Sequence, residues 1–426
     1  MREQDLYCIA PVVDYEEPYM VSGKGCYVYD KTGKKYLDIS CGQFSAVLGH
    51  QNPYVQKAIE KASKQLIHLS SGLISENFIK VAQKLHEIMP EMNGRILLLS
   101  TGGEANEACL RYAKNMNNNK SGIISFVQGY HGLTHGTEGY SIARKWVKPE
   151  LEYSFAVRAP ECYGEEAFDY SEYIEEFRNV ATQNKDIVAA ALFEPIVSNG
   201  GMLIPGAEYW REIRKICDEN DIYLIFDECQ TGFGRTGSWF YYQQIGCVPD
   251  MLVCAKALGL GFPVSMVAFN GNKFDNSKFK MHHFSSHQNE PFSSELILSA
   301  ISAIEEDGLL KNVCQMGQYL QKRIEEVEKK FGIIKNPRGI GLMRGFDLDT
   351  YDMEKSELMQ RAHILTKLAQ KRGLLLQITN NGTTVRILPA YNITSNEIDE
   401  FIKLIVESFL DLKEQGYKIG DDNGEF

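Results

Sequence analysis

The chain has 426 residues, 44% of them hydrophobic and 24% charged, with a net charge of −11. Those proportions describe a soluble globular protein of two domains, or one large domain with an appendage. The acidic balance, with no basic stripe to offset it, argues against nucleic acid as a partner. No apolar run approaches the ~20 residues that span a bilayer, so no membrane role is expected. Met1–Asp5 has no apolar signal core. The ten cysteines are scattered and form no C-x-x-C pair. Free thiols in a reducing cytoplasm are therefore expected.

In chain order, residues 24–40 predict a small antiparallel unit with a turn at Asp30-Lys31-Thr32-Gly33. From about 52 to 300, helical and strand patterns alternate. Helices are expected at 53–66, 77–89, 103–115, 171–183 and 207–220, and strands at 95–99, 122–127, 187–193, 222–226, 251–254 and 265–269. Such alternation predicts an α/β fold with a mainly parallel sheet. Beyond residue 293 come a long helical stretch (293–330), strands near 342–348, 373–378 and 384–388, and helices at 354–371 and 395–415. This part reads as a smaller α+β domain. The expected division is 1–50 as an N-terminal segment serving the small domain and the active site, 51–295 as the large domain, and 296–426 as the small one. Gly420 to Phe426 reads as a solvated acidic tail.

Two strand ends carry the most chemistry. Asp227 closes the apolar run Ile222-Tyr223-Leu224-Ile225-Phe226, and Lys256 follows Met251-Leu252-Val253-Cys254, 29 positions later. In an open α/β sheet, residues just past the strand ends line the ligand crevice. An amine and a carboxylate facing one pocket are what pyridoxal phosphate (PLP) needs: a Schiff-base partner, and an acid against the ring nitrogen. Taken alone, an Asp there is as readily a helix cap, and a Lys a solvated strand end. Ile96-Leu97-Leu98-Leu99 followed by Ser100-Thr101-Gly102-Gly103 and a helix is a strand–Gly–helix junction that aims unpaired N–H groups at an anion. Other glycine and histidine groupings fail on spacing. Gly259-Leu260-Gly261 lacks the third glycine of a dinucleotide fingerprint, and Gly232 to Gly237 lacks a Gly-Lys-Ser/Thr. His282, His283 and His287 have no Glu placed between them as in a zinc protease, so no catalytic metal is read there.

Several segments occur in one order: Leu98 to Glu107, Tyr130-His131-Gly132, Glu194-Pro195-Ile196, Asp227 to Gly237, then Lys256. Together they resemble the class-III aminotransferases of PLP fold type I across nearly the whole chain. That resemblance implies an α/β fold with a large, mainly parallel sheet domain and a smaller α+β domain. It implies PLP with Lys256 as the Schiff-base lysine, Asp227 on the pyridine nitrogen, Gln230 at the phenolic oxygen, and Gly102 and Gly103 at the phosphate. Tyr130 would stack on the ring, where some relatives have Trp, and Glu194 would support the site behind Asp227 or on the substrate side. Ser286, in the Ser285-Ser286 pair, would complete the phosphate site of a partner subunit, so a homodimer or dimer of dimers is implied. Arg386, in Thr384-Val385-Arg386-Ile387-Leu388-Pro389, matches the family's binder of the substrate carboxylate, with Ala390 in place of a second proline.

Cys41 to His50 and His68 to Ser75 look more narrowly like the 2,2-dialkylglycine decarboxylases. That implies an amino donor losing CO₂ and a 2-oxo acid acceptor, pyruvate, with Gln43 holding the leaving carboxylate parallel to the ring's π orbitals. It also implies an alkali cation, K⁺ or Na⁺, near the carbonyls of Leu69 and Gln288, Ser71, Ser286 and Glu290, the last standing for an Asp. Asn199 stands where that subfamily has a Ser in the substrate pocket, and Phe284 where it has a Tyr. Gln43 serves equally well as a loop-ordering residue. Ordinary transamination of an amino acid or ω-amine, and racemisation, remain the alternatives.

Overall fold

The computed structural model describes residues 18–117, 120–141, 153–164, 167–274 and 283–419. Cys8, His282 and the acidic tail from Gly420 lie outside them, as do Met1–Asp5.

In chain order, β1 (Met20–Lys24), β2 (Tyr27–Asp30) and β3 (Lys35–Asp38) precede the helices α1 (Pro53–Ser63) and α2 (Glu76–Ile88). Then come β4 (Ile96–Leu99), α3 (Gly102–Met116), β5 (Gly122–Phe126), β6 (Ser154–Val157), α4 (Ser171–Gln183), β7 (Val188–Phe193), α5 (Ala207–Glu219), β8 (Tyr223–Asp227), the short α6 (Tyr241–Ile245), β9 (Met251–Cys254) and β10 (Ser265–Phe269). The C-terminal third holds α7 (Pro291–Glu306), α8 (Leu309–Lys330), β11 (Ile334–Ile340), β12 (Met343–Leu348), α9 (Lys355–Arg372), β13 (Leu374–Leu375), β14 (Gln377–Thr379), β15 (Thr384–Ile387) and α10 (Ser395–Glu414).

The central sheet runs β4-β10-β9-β8-β7-β5-β6. Only β10 is antiparallel to its neighbours β4 and β9, so the other strands all point one way. Strands buried on both faces read as unbroken apolar runs, and β7 and β9 are buried at every position. The flanking helices are amphipathic. The apolar side of α5 places Tyr209, Trp210, Ile213, Ile216 and Cys217 in the core. Trp210 there meets Phe126, Phe193 and Phe226 from three adjacent strands.

Two smaller sheets matter for the site. One, β11-β12-β15-β14, sets Gln377 opposite Arg386 across the β14–β15 pair. The other, β1-β2-β3-β13, joins the first strands to the C-terminal third through a parallel pairing of Leu37 with Leu374 and Asp38 with Leu375.

Several expected elements differ. The helical stretch 293–330 is two helices, because Gly308 takes φ +60° between α7 and α8. The strand expected at 373–378 is two short strands in different sheets. β1, β6, β11 and α6 were not anticipated. Nine cysteines lie in the described residues, and none of them is in a disulfide. Among the described residues, no helix is long and apolar enough to cross a membrane.

Candidate active site

Five of the parallel strands deliver residues to one edge of the central sheet. β4 leads into Gly102 and Gly103, β5 toward Tyr130, β7 into Glu194, β8 ends on Asp227, and β9 leads to Lys256. A cavity of about 360 Å³ there is lined by Gly102, Gly103, Tyr130, Asp227 and Lys256, and also by Asn106 and His131. The amine and the carboxylate therefore do face one pocket. Lys256 sits at φ +45°, a left-handed conformation costly for a side chain with a Cβ. The following turn, Lys256–Gly259, is 3₁₀.

Asp227 is 4% exposed. Burial alone would favour its neutral form, but hydrogen bonds from His131, Cys229 and Asn106 hold its carboxyl below the usual carboxylate range. Its Oδ2 takes both Asn106 Nδ2 (2.8 Å) and His131 Nδ1 (2.9 Å), while Oδ1 accepts the Cys229 N–H (3.1 Å). Asn106 also donates to the His131 carbonyl (3.0 Å), which fixes the pair. One oxygen is thus anchored from behind, and the other keeps lone-pair capacity for a cationic ring nitrogen.

Thr101 caps α3 through its hydroxyl, which accepts the Glu104 N–H at 3.3 Å. The Glu104 carboxylate reaches back to the Ser100 N–H at 2.9 Å. The N–H groups of Gly102 and Gly103 lie in the first turn, where no intrahelical acceptor exists. A Cβ on Gly102 would come within 2.8 Å of Cys229 Sγ. The glycines therefore leave bare backbone against the cavity, as a phosphate oxygen requires. Taken together, an unpaired first turn, an ionised buried Asp and a lysine in one cavity fit PLP.

Beyond the residues that line this cavity, Arg386 is 7% exposed. Burial draws its guanidinium down to about 10, with Glu194 opposing. Its Nη2 donates to Gln377 Oε1 (3.1 Å) and its Nη1 to Ser198 Oγ (3.5 Å), and Nε has no partner. It lies 4.8 Å over the ring of Phe44. None of its partners among the described residues is a carboxylate. A buried cation so placed awaits an anion. Gln377 Nε2 donates in turn to Gln43 Oε1 (3.3 Å), so Gln43 joins the Arg386 group through Gln377. Ser198 Oγ donates to Gln230 Oε1 (2.8 Å) and thereby links Gln230 to Arg386. Glu194 Oε1 accepts the Tyr130 N–H (2.8 Å), and burial raises its carboxyl to about 7.

Other expected residues stand apart. Asn199 is turned to Thr379, whose hydroxyl donates to both its carbonyl (3.0 Å) and its Oδ1 (2.9 Å). Ser286 is exposed and does not line this cavity. The Ser71 hydroxyl donates to the Ser285 carbonyl (3.0 Å), and Glu290 meets His68 and His287. Phe284 is 80% exposed. Sequence reasoning assigned no role to Asn106, His131, Ser198 or Gln377. Asn106 and His131 lie inside the quoted motifs, and their polar side chains there were the available signal. Nothing in the local sequence marks Gln377.

The class-III aminotransferase family matches residues 13–409. An acetylornithine aminotransferase of Caldanaerobacter subterraneus subsp. tengcongensis is 31% identical over 414 residues, covering 92% of this chain and 98% of that relative. A leucine/methionine racemase of Thermococcus litoralis is 30% identical over 437 residues, covering 100% and 97%. Among solved structures, a transaminase from the marine bacterium Virgibacillus superposes with a TM-score of 0.89 at 24% identity, covering 97% of this chain and 99% of that one. The omega transaminase of Pseudomonas jessenii in complex with PMP does so with a TM-score of 0.89 at 24% identity, covering 97% and 98%. The shared fold is α/β, of the PLP fold-type-I kind. With nearly its whole length matched, the chain belongs to the class-III aminotransferase family.

Proposed function

We propose that this chain is a PLP-dependent aminotransferase that takes the amino group from a carboxylate-bearing donor and passes it to a 2-oxo acid in a ping-pong cycle. The observation that carries this reading is Arg386, a buried guanidinium with no carboxylate hydrogen-bond partner among the described residues, which shares Glu194 as an electrostatic neighbour with Lys256 and Asp227. When bound, PLP supplies the electron sink. Lys256 holds the cofactor and moves the proton at the donor's α-carbon. Asp227 Oδ1 keeps the ring nitrogen protonated, and the amide of Gln230, aligned by Ser198, serves the ring oxygen. Gly102 and Gly103 hold the phosphate, with Ser286 contributed across a homodimer. Tyr130 covers one ring face. Arg386 orients the donor's carboxylate, and the same group then fits a small 2-oxo acid such as pyruvate. On this reading, residues 51–295 supply the cofactor side, and 1–50 with 296–426 the substrate side.

Decarboxylation of a 2,2-dialkylglycine donor is the second reading. It is favoured by Gln43, whose amide stands beside the Arg386 group through Gln377. Racemisation is the third, in keeping with the racemase relative.

The test offers the PLP form of the enzyme α-amino acids, an amine lacking a carboxylate, and 2-aminoisobutyrate, while following the pyridoxamine spectrum and CO₂. Pyridoxamine formation from α-amino acids is expected. Arg386→Ala should lower kcat/KM for them by about 2–5 kcal/mol, as truncating a buried charge partner does, and leave the simple amine unaffected. CO₂ from 2-aminoisobutyrate would establish the decarboxylating version. Loss of optical activity without conversion to pyridoxamine would replace transamination by racemisation.

A further inference from the structure

Away from the cofactor cavity, three side chains from two separate segments converge. His68, in the loop before α2, places Nδ1 at 2.5 Å from Glu290 Oε1. His287 places its own Nδ1 at 3.1 Å from the same oxygen. One ligand atom from each of the three lies within 4.8 Å of the others. Glu290 is 6% exposed, yet its Oε2 has no hydrogen-bond partner. A buried carboxylate oxygen left unpaired is costly unless something positive completes it.

We propose that His68, His287 and Glu290 form a binding site for a first-row divalent cation of the zinc type. Two imidazole nitrogens and one carboxylate suit Zn²⁺ and its neighbours, whereas alkali and alkaline-earth cations favour all-oxygen sets. Bonds of ~2.0–2.1 Å in a tetrahedral site set adjacent donor atoms ~3.3 Å apart. The His287–Glu290 spacing already meets that. His68 has to withdraw by less than an ångström, and its side chain is 55% exposed. The three side chains line a cavity of about 320 Å³ together with Ser100, which leaves room for a further ligand. This differs from the alkali-cation set implied by the sequence resemblance, which uses carbonyls and hydroxyls and shares only Glu290.

The site's position gives it a consequence. Asn289, between two of the ligands, accepts the Leu98 N–H on Oδ1 (2.9 Å) and donates its own N–H to the Leu98 carbonyl (3.0 Å). Leu98 belongs to β4, which runs directly into Gly102 and Gly103. A cation there ties the 68–71 loop to the segment braced against the phosphate strand.

The experiment titrates chelator-treated holoenzyme with Zn²⁺ by calorimetry and with Co²⁺ by visible absorption. One saturable site per chain is expected, with Co²⁺ showing d–d bands of nitrogen–oxygen ligation. The double variant His68→Gln/His287→Gln should weaken Zn²⁺ binding at least ~100-fold, beyond the range seen for outer-shell changes. His135→Gln, altering a 95%-exposed histidine elsewhere, should not. Both ligand histidines are largely exposed, so folding should survive, and His287→Gln alone serves if the double variant is unstable. Zn²⁺ affinity unchanged by these substitutions, or no binding tighter than about 1 mM, would mean a histidine–carboxylate cluster only and overturn the proposal. So would stabilisation by K⁺ and not by Zn²⁺.

Discussion

Two buried carboxylates beside the cofactor cavity shift in opposite directions, because direct pairing with His131, Cys229 and Asn106 outweighs burial at Asp227 and nothing comparable does at Glu194. Asp227 receives three hydrogen bonds, two of them from side chains, and is held ionised against its burial. Glu194 receives one, from the Tyr130 amide, and burial wins, so its carboxyl rises from the ordinary 4.5 to about 7. The folded chain therefore binds a proton at Glu194 that the unfolded chain has released between those two values. That contribution to stability is complete below about pH 4.5 and is lost as pH rises through 7. Glu194→Gln keeps an acceptor for the Tyr130 amide and removes the titration. The unfolding midpoint of the variant should fall less between pH 4.5 and 7 than that of the natural chain. Glu228, whose carboxyl burial also raises to about 7, remains in both proteins, so the difference isolates Glu194. Identical pH profiles would show that folding does not shift the Glu194 carboxyl.

At the scale of elements, the sheet's carboxyl edge was legible because buried parallel strands are unbroken apolar runs and the reactive residues follow them directly. The edge strands were not. β6 is four residues long, and β11 contains Pro337 and Gly339, which a sheet tolerates at its edge but which do not read as a strand. The roles of Asn106, Ser198 and Gln377 also escaped, since each depends on a partner brought from elsewhere. Asn106 reaches Asp227 across 121 positions, and Gln377 reaches Gln43 across 334. The junction of β4 and α3 carries its own prediction. Gly102 needs no left-handed backbone; it is small because Cys229 Sγ would lie 2.8 Å from a Cβ and Ala255 Cβ 3.6 Å from it. Gly102→Ala therefore pushes on Cys229, whose N–H donates to Asp227 Oδ1. Overpacking of this kind costs about 1–3 kcal/mol, and PLP affinity should fall with stability. Adding Cys229→Ala makes room for the methyl group and should restore most of the stability, as a double-mutant cycle would read. Additive losses would place the strain elsewhere.

For the molecule as a whole, the cofactor side and the substrate side are built by different means. The residues around Lys256 hang from the parallel strands of one sheet, so the central fold alone positions them. Gln43 and Gln377 come from opposite ends of the chain and meet because β3 and β13 pair in parallel, Leu37 against Leu374. That pairing is reinforced by the Leu37 N–H donating to the Gly373 carbonyl at 2.7 Å. Asp38 then accepts the N–H groups of Ser40 (3.0 Å) and Gly42 (2.7 Å) and so fixes the turn that carries Gln43. β14, just beyond β13, sets Gln377 opposite Arg386. Weakening the β3–β13 contact should therefore disturb substrate binding before it disturbs cofactor binding. Leu37 and Leu374 are both fully buried, and truncating such a leucine costs about 2–5 kcal/mol. Leu374→Ala should lower stability by that amount and raise KM for a carboxylate donor severalfold, while the PLP dissociation constant changes little. Equal losses in both constants would mean that the two sides are one cooperative unit, and that the link between the chain's ends supports the whole site rather than the carboxylate pocket alone.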